Sequence, residues 1–340
     1  MEHTSTEKRD FGVGSVSAAI LRLAIPMTFA QLINVLYSVV DRIYIGHLPH
    51  TSTEALTGIG LTLPVITIVT AFANLFGMGG APLFSMERGR ENTDKARTIM
   101  GNSFALILIF GLLLSLLCYL FKEPLLYLFG ASDTTYPYAD AYLSIYLLGT
   151  IFVMISLGMN NFINAQGFGV MGMLTVSIGA VLNLILDPVF IFIFGLGIRG
   201  AAVATVISQM ISALWVLKFL TGKKALITLS RRSMRIKRRL VRDITTLGLS
   251  GFIMSITNGA VQIICNATLQ NYGGDLYIGI MTVINSVREI VNIPVNGFTN
   301  SAQPVMSFNY GAQKYGRVKS AIRFMTIFCI VFTLIVWALI

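Results

Sequence analysis

Charge is scarce in this sequence. Of 340 residues, 12% are Asp, Glu, Lys or Arg, and only 15 are acidic. A soluble domain carries about 25% charged residues, so too little polarity is present to cover a water-soluble core. Histidine is scarcer. His3, His47 and His50 all precede the "GLSG" at 248–251, and no later helix supplies a histidine to activate its serine. "YGGD" at 272–275 is not the G-x-G-D that intramembrane aspartyl chemistry needs. An enzyme is therefore not expected. Cysteine is almost absent too. Cys118, Cys265 and Cys329 sit singly in apolar runs, with no metal-site or disulfide spacing.

What is present is apolar length. Hydrophobic residues make up 55% of the chain. Runs of the roughly 20 residues needed to cross a bilayer recur near 17–45, 56–82, 98–121, 138–162, 170–194, 199–220, 244–270, 276–303 and 319–340. The expected fold class is an all-α polytopic membrane protein with nine transmembrane helices. The first run is long and interrupted, with no small-residue cleavage site, so it does not read as a removable signal peptide.

The net charge of +10 is not a nucleic-acid footprint. With the N-terminus cytoplasmic and nine alternating spans, 20 of the 25 Lys and Arg fall inside. They are Lys8, Arg9 and Arg22; Arg88, Arg90, Lys95 and Arg97; nine between Lys223 and Arg242; and Lys314, Arg317, Lys319 and Arg323. This is the positive-inside bias. It predicts a cell-membrane protein whose run "RRSMRIKRRLVR" anchors topology and meets anionic lipid headgroups.

An internal repeat organises the chain. At an offset of 222 residues, Val65, Ile68, Val69, Asn74, Phe76, Pro82, Ser85 and Gly89 meet identical residues from Val287 to Gly311. Lys95, Arg97 and Thr98 meet Arg317, Lys319 and Ser320. The repeated loops share one side of the membrane, so an even number of spans separates them and the halves run parallel. Parallel repeats build transporters that rock about a central site. The expected division is an N-lobe of six helices at 1–221, a basic cytoplasmic linker at 222–243 and a partial C-lobe of three helices at 244–340. Three further helices would complete the second lobe. The expected unit is a monomer.

Within this apolar setting "VLNLILDPVFIFIFG" holds Asp187. A carboxylate at membrane depth costs at least about 2.5–3.5 kcal/mol, and such groups usually serve ions or protons. Asp41 is a second, in "NVLYSVVDRIYIG". By span position Asp41, Asp187 and Thr205 all fall in the outer half. Asn183 precedes Asp187 by one turn and shares its face. Two carboxylates, an amide and a hydroxyl suit a small hard cation. They suit a proton equally, because desolvation and a like charge favour a neutral carboxyl. Pro26 on the first span, Pro188 after Asp187, and Pro64 and Pro294 in the repeated spans each remove a backbone hydrogen bond and can kink a helix.

"AIPMTFAQLINVLYSVVDRIYIGHL", "IGAVLNLILDPVFIFIFGLGIRGAAVATVISQ" and "PVMSFNYGAQKYGRVKSAIR" together resemble the MATE (multidrug and toxic compound extrusion) exporters. The resemblance runs from about Leu21 to the end and covers nine of that family's twelve helices. It implies two six-helix lobes and export of small amphipathic, often cationic compounds in exchange for H⁺ or Na⁺, with no cofactor. It implies that Asp41, Asn183, Asp187 and Thr205 bind the coupling ion. Gln31, Asn34 and Tyr37, one to three turns before Asp41, are expected to line the same cavity, and Pro26 to kink their helix. Phe168 and Val170 depart from the polar residues usual in the family's loop, and the seventh span carries no acid. Arg288 and Glu289, the other intramembrane charges, either contact substrate and gate or pair with further helices. A flippase for lipid-linked sugars is the competing reading, but its cavity would be rich in Arg and Lys to hold pyrophosphate. Here Arg288 is the clear candidate at depth.

Overall fold

The computed structural model describes residues 10–47 and 52–339. His3, Lys8, Arg9 and His50 lie outside the described residues. The described chain is helical throughout: α1 Val16–Gly46, α2 Ser52–Gly89, α3 Thr93–Leu120, the short α4 Lys122–Leu128, α5 Tyr136–Ala165, α6 Gly169–Pro188, α7 Ile198–Thr221, α8 Arg238–Gly311 and α9 Tyr315–Leu339. Eight helices among the described residues are long and apolar enough to cross a membrane. Apolar sequence in a medium without water leaves the helix as the way to satisfy every backbone group.

One large core joins α2, α3, α5 and α7, with Phe76, Phe84, Met100, Ile107, Met154 and Phe162 buried in it. Leu229 of the linker and Leu240 and Ile244 of α8 close it from one end. A second core is different in origin. There Ile20, Leu23 and Ala24 from the start of α1 meet Ala302 and Val305 of α8 and Ala321 of α9. The start of α1 thus belongs to the second half of the chain, and its far end to the first. Pro26 is buried inside α1 at the edge of this second core, with Met27 packed against that core and Thr28 meeting Gly297 of α8.

One sequence expectation changes. The spans at 244–270 and 276–303 both fall within α8, whose helical hydrogen bonding carries through the glycines of the bridging "NYGGD". α8 does not run straight. A Cβ on Gly248 would strike the Leu75 carbonyl and one on Gly89 the Phe308 carbonyl. Leu75 and Gly89 are about 21 Å apart along α2, whereas a straight helix from Gly248 to Phe308 would span about 90 Å. The chain therefore doubles back between the two spans. What changes is that Pro64 and Pro294 do not interrupt their helices, which continue through them as α1 does through Pro26.

The ends of α2 and α8 cross with matched geometry. A Cβ on Gly89 would strike the carbonyl of Phe308, and one on Gly311 would strike the carbonyl of Met86. Lys95 Nζ donates to Glu87 Oε1 at 2.8 Å, while Arg317 Nε donates to Asn309 Oδ1 at 2.9 Å. Glu91 and Gln313 adopt φ of 61° and 59°. Every one of these pairs obeys the offset of the sequence repeat.

Candidate functional site

Asn183 and Asp187 stand on successive turns of α6, and both side chains point inward, with residue exposures of 2% and 1%. Asn183 Nδ2 donates to Asp187 Oδ1 at 3.3 Å and to Thr205 Oγ1 of α7 at 3.4 Å. Gly200 permits this approach, because a Cβ there would lie 2.6 Å from the Phe190 carbonyl carbon. Small residues Ala201, Ala202 and Ala204 continue the close-packed face of α7, as membrane helix contacts favour. Past Pro188 the chain widens into a π-helical turn, Val189–Ile193. Such turns are often found at functional sites.

Asp41 of α1 interacts electrostatically with Asp187. Tyr37, one turn earlier on α1, interacts with both carboxyls and is within side-chain hydrogen-bonding reach of Thr205. The four residues expected to hold a cation therefore come together, from α1, α6 and α7. Asn183 Oδ1 and Asp187 Oδ2 are buried and accept no hydrogen bond from a protein donor, and Asp187 lies within hydrogen-bonding reach of the Asp41 carboxyl. A buried unsatisfied polar group costs about 1–3 kcal/mol, more when charged. Such a cluster can take up a proton, a cation or water.

Beside it, between α1, α5, α6 and α7, lies a cavity of about 70 Å³ lined by Asn34, Tyr37, Asn160, Asn183, Ser208 and Gln209 among others. That is room for a few waters. Ser156 Oγ donates to Gln209 Oε1 at 2.7 Å, and Ser212 Oγ to the Thr175 carbonyl at 3.1 Å. Ser208 Oγ and Asn160 Oδ1 are buried without a partner, so the cavity is polar as well as roomy.

Not every expected residue arrives there. Asn34 and Tyr37 line the cavity; Gln31, half-buried on α1, does not. Pro26 lies lower on α1. Arg288 is exposed on α8, away from the cluster, and the Glu289 side chain lies outside the described residues. Sequence reasoning missed Tyr142 and Tyr146 of α5. Both are buried, stack 6.2 Å apart, and meet the cluster: Tyr142 is in electrostatic contact with Asp41 and reaches Thr205. Their spacing of one helical turn was the available signal. Asn160 and Gln209, polar residues inside apolar spans, were a second.

The MatE family model matches residues 26–189 and 251–340. The chain belongs to the MatE family. Membership makes it a multi-pass membrane protein of an efflux-transporter family, not an enzyme. This MatE chain is 27% identical over 313 residues to the multidrug export protein MepA of Staphylococcus saprophyticus, which spans 92% of this chain and 68% of that protein. MepA of Staphylococcus aureus strain MSSA476 is 26% identical, with the same shares. Among solved structures, a MOP superfamily transporter from Pyrococcus furiosus superposes with a TM-score of 0.89 at 24% identity, over 96% of this chain and 72% of that one. A multidrug resistance MATE family transporter in an outward-facing conformation gives 0.90 at 24% identity, over 97% and 73%. These structures share the fold of the MatE chain.

Proposed function

We infer that the chain exports small amphipathic, often cationic compounds by antiport against H⁺ or Na⁺, with alternating access between two lobes. The observation that carries this is the convergence of two carboxyls, an amide and a hydroxyl at membrane depth, with buried oxygens that accept no hydrogen bond from a protein donor. Asp41, Asn183, Asp187 and Thr205 are the coupling site on this reading, with Tyr142 and Tyr146 walling it. Asn34, Tyr37 and the cavity beside them carry the ion or part of the substrate. The division into 1–221, 222–243 and 244–340, with the N-terminus cytoplasmic, is supported by the repeat-related crossing of α2 and α8 and by the charge distribution.

Coupling follows from where α1 packs. Its first turns are fixed to α8 and α9, and its last turns bring Asp41 to α6. Pro26 lies between and is the natural hinge. A bare pair of carboxylates is costly here, so a bound cation or proton stabilises the arrangement in which the two face each other. An ion shifts the equilibrium only by its difference in affinity for the two states. A membrane voltage adds about 2.3 kcal/mol per charge per 100 mV.

Coupling of this kind is reciprocal. Raising Na⁺, or lowering pH, should weaken drug binding by the factor by which drug weakens ion binding. Calorimetric titration of a cationic drug at several Na⁺ concentrations and pH values checks this. The dependence should vanish in Asp187→Asn. If it persists in both Asp187→Asn and Asp41→Asn, coupling resides elsewhere in the chain.

A further inference from the structure

The coupling site makes no use of a groove at the other end of the helices. The turn Arg231–Met234 and the residues leading into α8 lie against the first turns of α3 and enclose about 530 Å³. Four cations line this groove: Arg97 from α3, and Arg232, Arg235 and Lys237 from the linker. Thr98 and Ser230 add hydroxyls, and Asp94 is the one lining acid. Asp94 hardly neutralises the groove, since its side chain is 91% exposed and reaches Arg97 Nη1 only at 3.4 Å. Among the described residues, Arg232, Arg235 and Lys237 form no ion pair. Arg97 Nε is buried and carries no hydrogen bond within the protein.

The groove is also held in shape. Asn102 of α3 is fully buried and ties its own helix to the linker. Its Nδ2 donates to the Thr98 carbonyl at 2.9 Å and to the carbonyls of Ser233 at 3.2 Å and Arg235 at 3.1 Å, and its Oδ1 accepts from the Lys237 backbone N–H at 2.8 Å. Ser233 Oγ donates to the Ser230 carbonyl at 2.6 Å and accepts from the Ser230 N–H at 3.4 Å. Orienting a membrane protein requires Lys and Arg near a span but no particular arrangement of them. A buried asparagine that fixes three linker residues around converging cations goes beyond that need.

Guanidinium groups match phosphate oxygens with paired donors, and an ammonium adds a point charge. We propose that this groove binds a phosphate group, carried either by an anionic lipid headgroup or by a small soluble phosphate compound. Arg97 and Arg235 grip it from opposite walls, Arg232 and Lys237 add charge, and the Thr98 and Ser230 hydroxyls donate to its remaining oxygens. Ile236, 47% exposed between Arg235 and Lys237, sets an apolar side chain beside the charges, as a headgroup at a bilayer edge requires. Occupancy would tie α3 of the first half to the start of α8 in the second.

The test titrates the purified full chain with phosphatidylglycerol, using phosphatidylcholine as the neutral reference, and counts retained lipids by native mass spectrometry. A parallel arm adds inorganic phosphate and follows thermal unfolding and displacement of the lipid. The double variant Arg97→Gln/Arg235→Gln removes two gripping groups. Arg238→Gln/Arg239→Gln removes the same charge from exposed positions outside the groove. Wild type and the outer double variant should bind alike, while the groove double variant binds about tenfold or more weakly, the loss of one charge-assisted contact. Binding of phosphatidylglycerol alone supports the site and assigns it to lipid. Binding of inorganic phosphate alone supports it and assigns it to a soluble compound, and mutual displacement supports the shared chemistry. Should Arg97→Gln fail to fold, Arg232→Gln/Arg235→Gln, both exposed, reads the same loss. Equal weakening by groove and outer variants, or no binding beyond phosphatidylcholine in either arm, overturns the proposal.

Discussion

Asn183 does two jobs with one amide. Its nitrogen joins Asp187 on its own helix to Thr205 on the next, and its oxygen is left unbonded. Removing it takes that free oxygen from a bound cation, a charge-assisted contact worth about 1.5–3 kcal/mol, which is about tenfold or more in affinity. Asn183→Leu should therefore weaken Na⁺ binding by about that factor, and Thr205→Val by less. Calorimetry with Na⁺ measures both, and unchanged affinity in Asn183→Leu would remove the amide from the site. The sequence made this cluster legible because carboxyls and amides are rare in apolar spans and stand out. Tyr142 and Tyr146 were not legible for the opposite reason. An aromatic ring in a membrane helix reads as packing, and only its neighbours reveal which hydroxyl meets polar groups. Periodicity tells which residues share a face, not which helix that face meets. Gln31 shows the limit from the other side, since it shares the helix of Asp41 but misses the cavity.

At the scale of elements, the crossing of α2 and α8 depends on two glycines. Gly89 rests on the Phe308 carbonyl and Gly311 on the Met86 carbonyl, so neither position has room for a Cβ. Gly89→Val or Gly311→Val should separate the helix ends and lower stability by about 1–3 kcal/mol or more, read as a fall in thermal midpoint in detergent. Gly60→Ala, where a Cβ would meet nothing within 4 Å, is the control and should be near neutral. Equal midpoints for all three would mean the crossing is not a packing contact. The repeat that relates these two spans was visible because identical residues recur at one offset in both; that they cross was not. Helical hydrogen bonding through the glycines of "NYGGD" was not visible, because hydropathy marks two apolar stretches but not how the chain passes between them. Nor was the exposure of Arg288, since hydropathy does not tell which face of a span meets a neighbour.

For the whole molecule, the decisive feature is that one helix belongs to both cores. α1 is anchored to α8 and α9 by its first turns, as far as Thr28 just past Pro26, and carries Asp41 to the α6 cluster near its other end. Bending or straightening α1 would therefore change the site and the junction of the halves together, which is what the proposed antiport requires. The α-helical class and the membrane setting followed from composition, which is a global property of sequence. The joint role of α1 did not, because it rests on contacts between residues nearly 300 positions apart, such as Asn309 donating to the Phe11 carbonyl at 3.0 Å. The most direct measurement is efflux of a fluorescent cationic drug from proteoliposomes under an imposed H⁺ or Na⁺ gradient, comparing wild type with Asp41→Asn and Asp187→Asn. Wild-type efflux should rise with the gradient and stop when an ionophore collapses it. Both variants should remain folded and lose that response. Efflux that still follows the gradient in both would contradict the account.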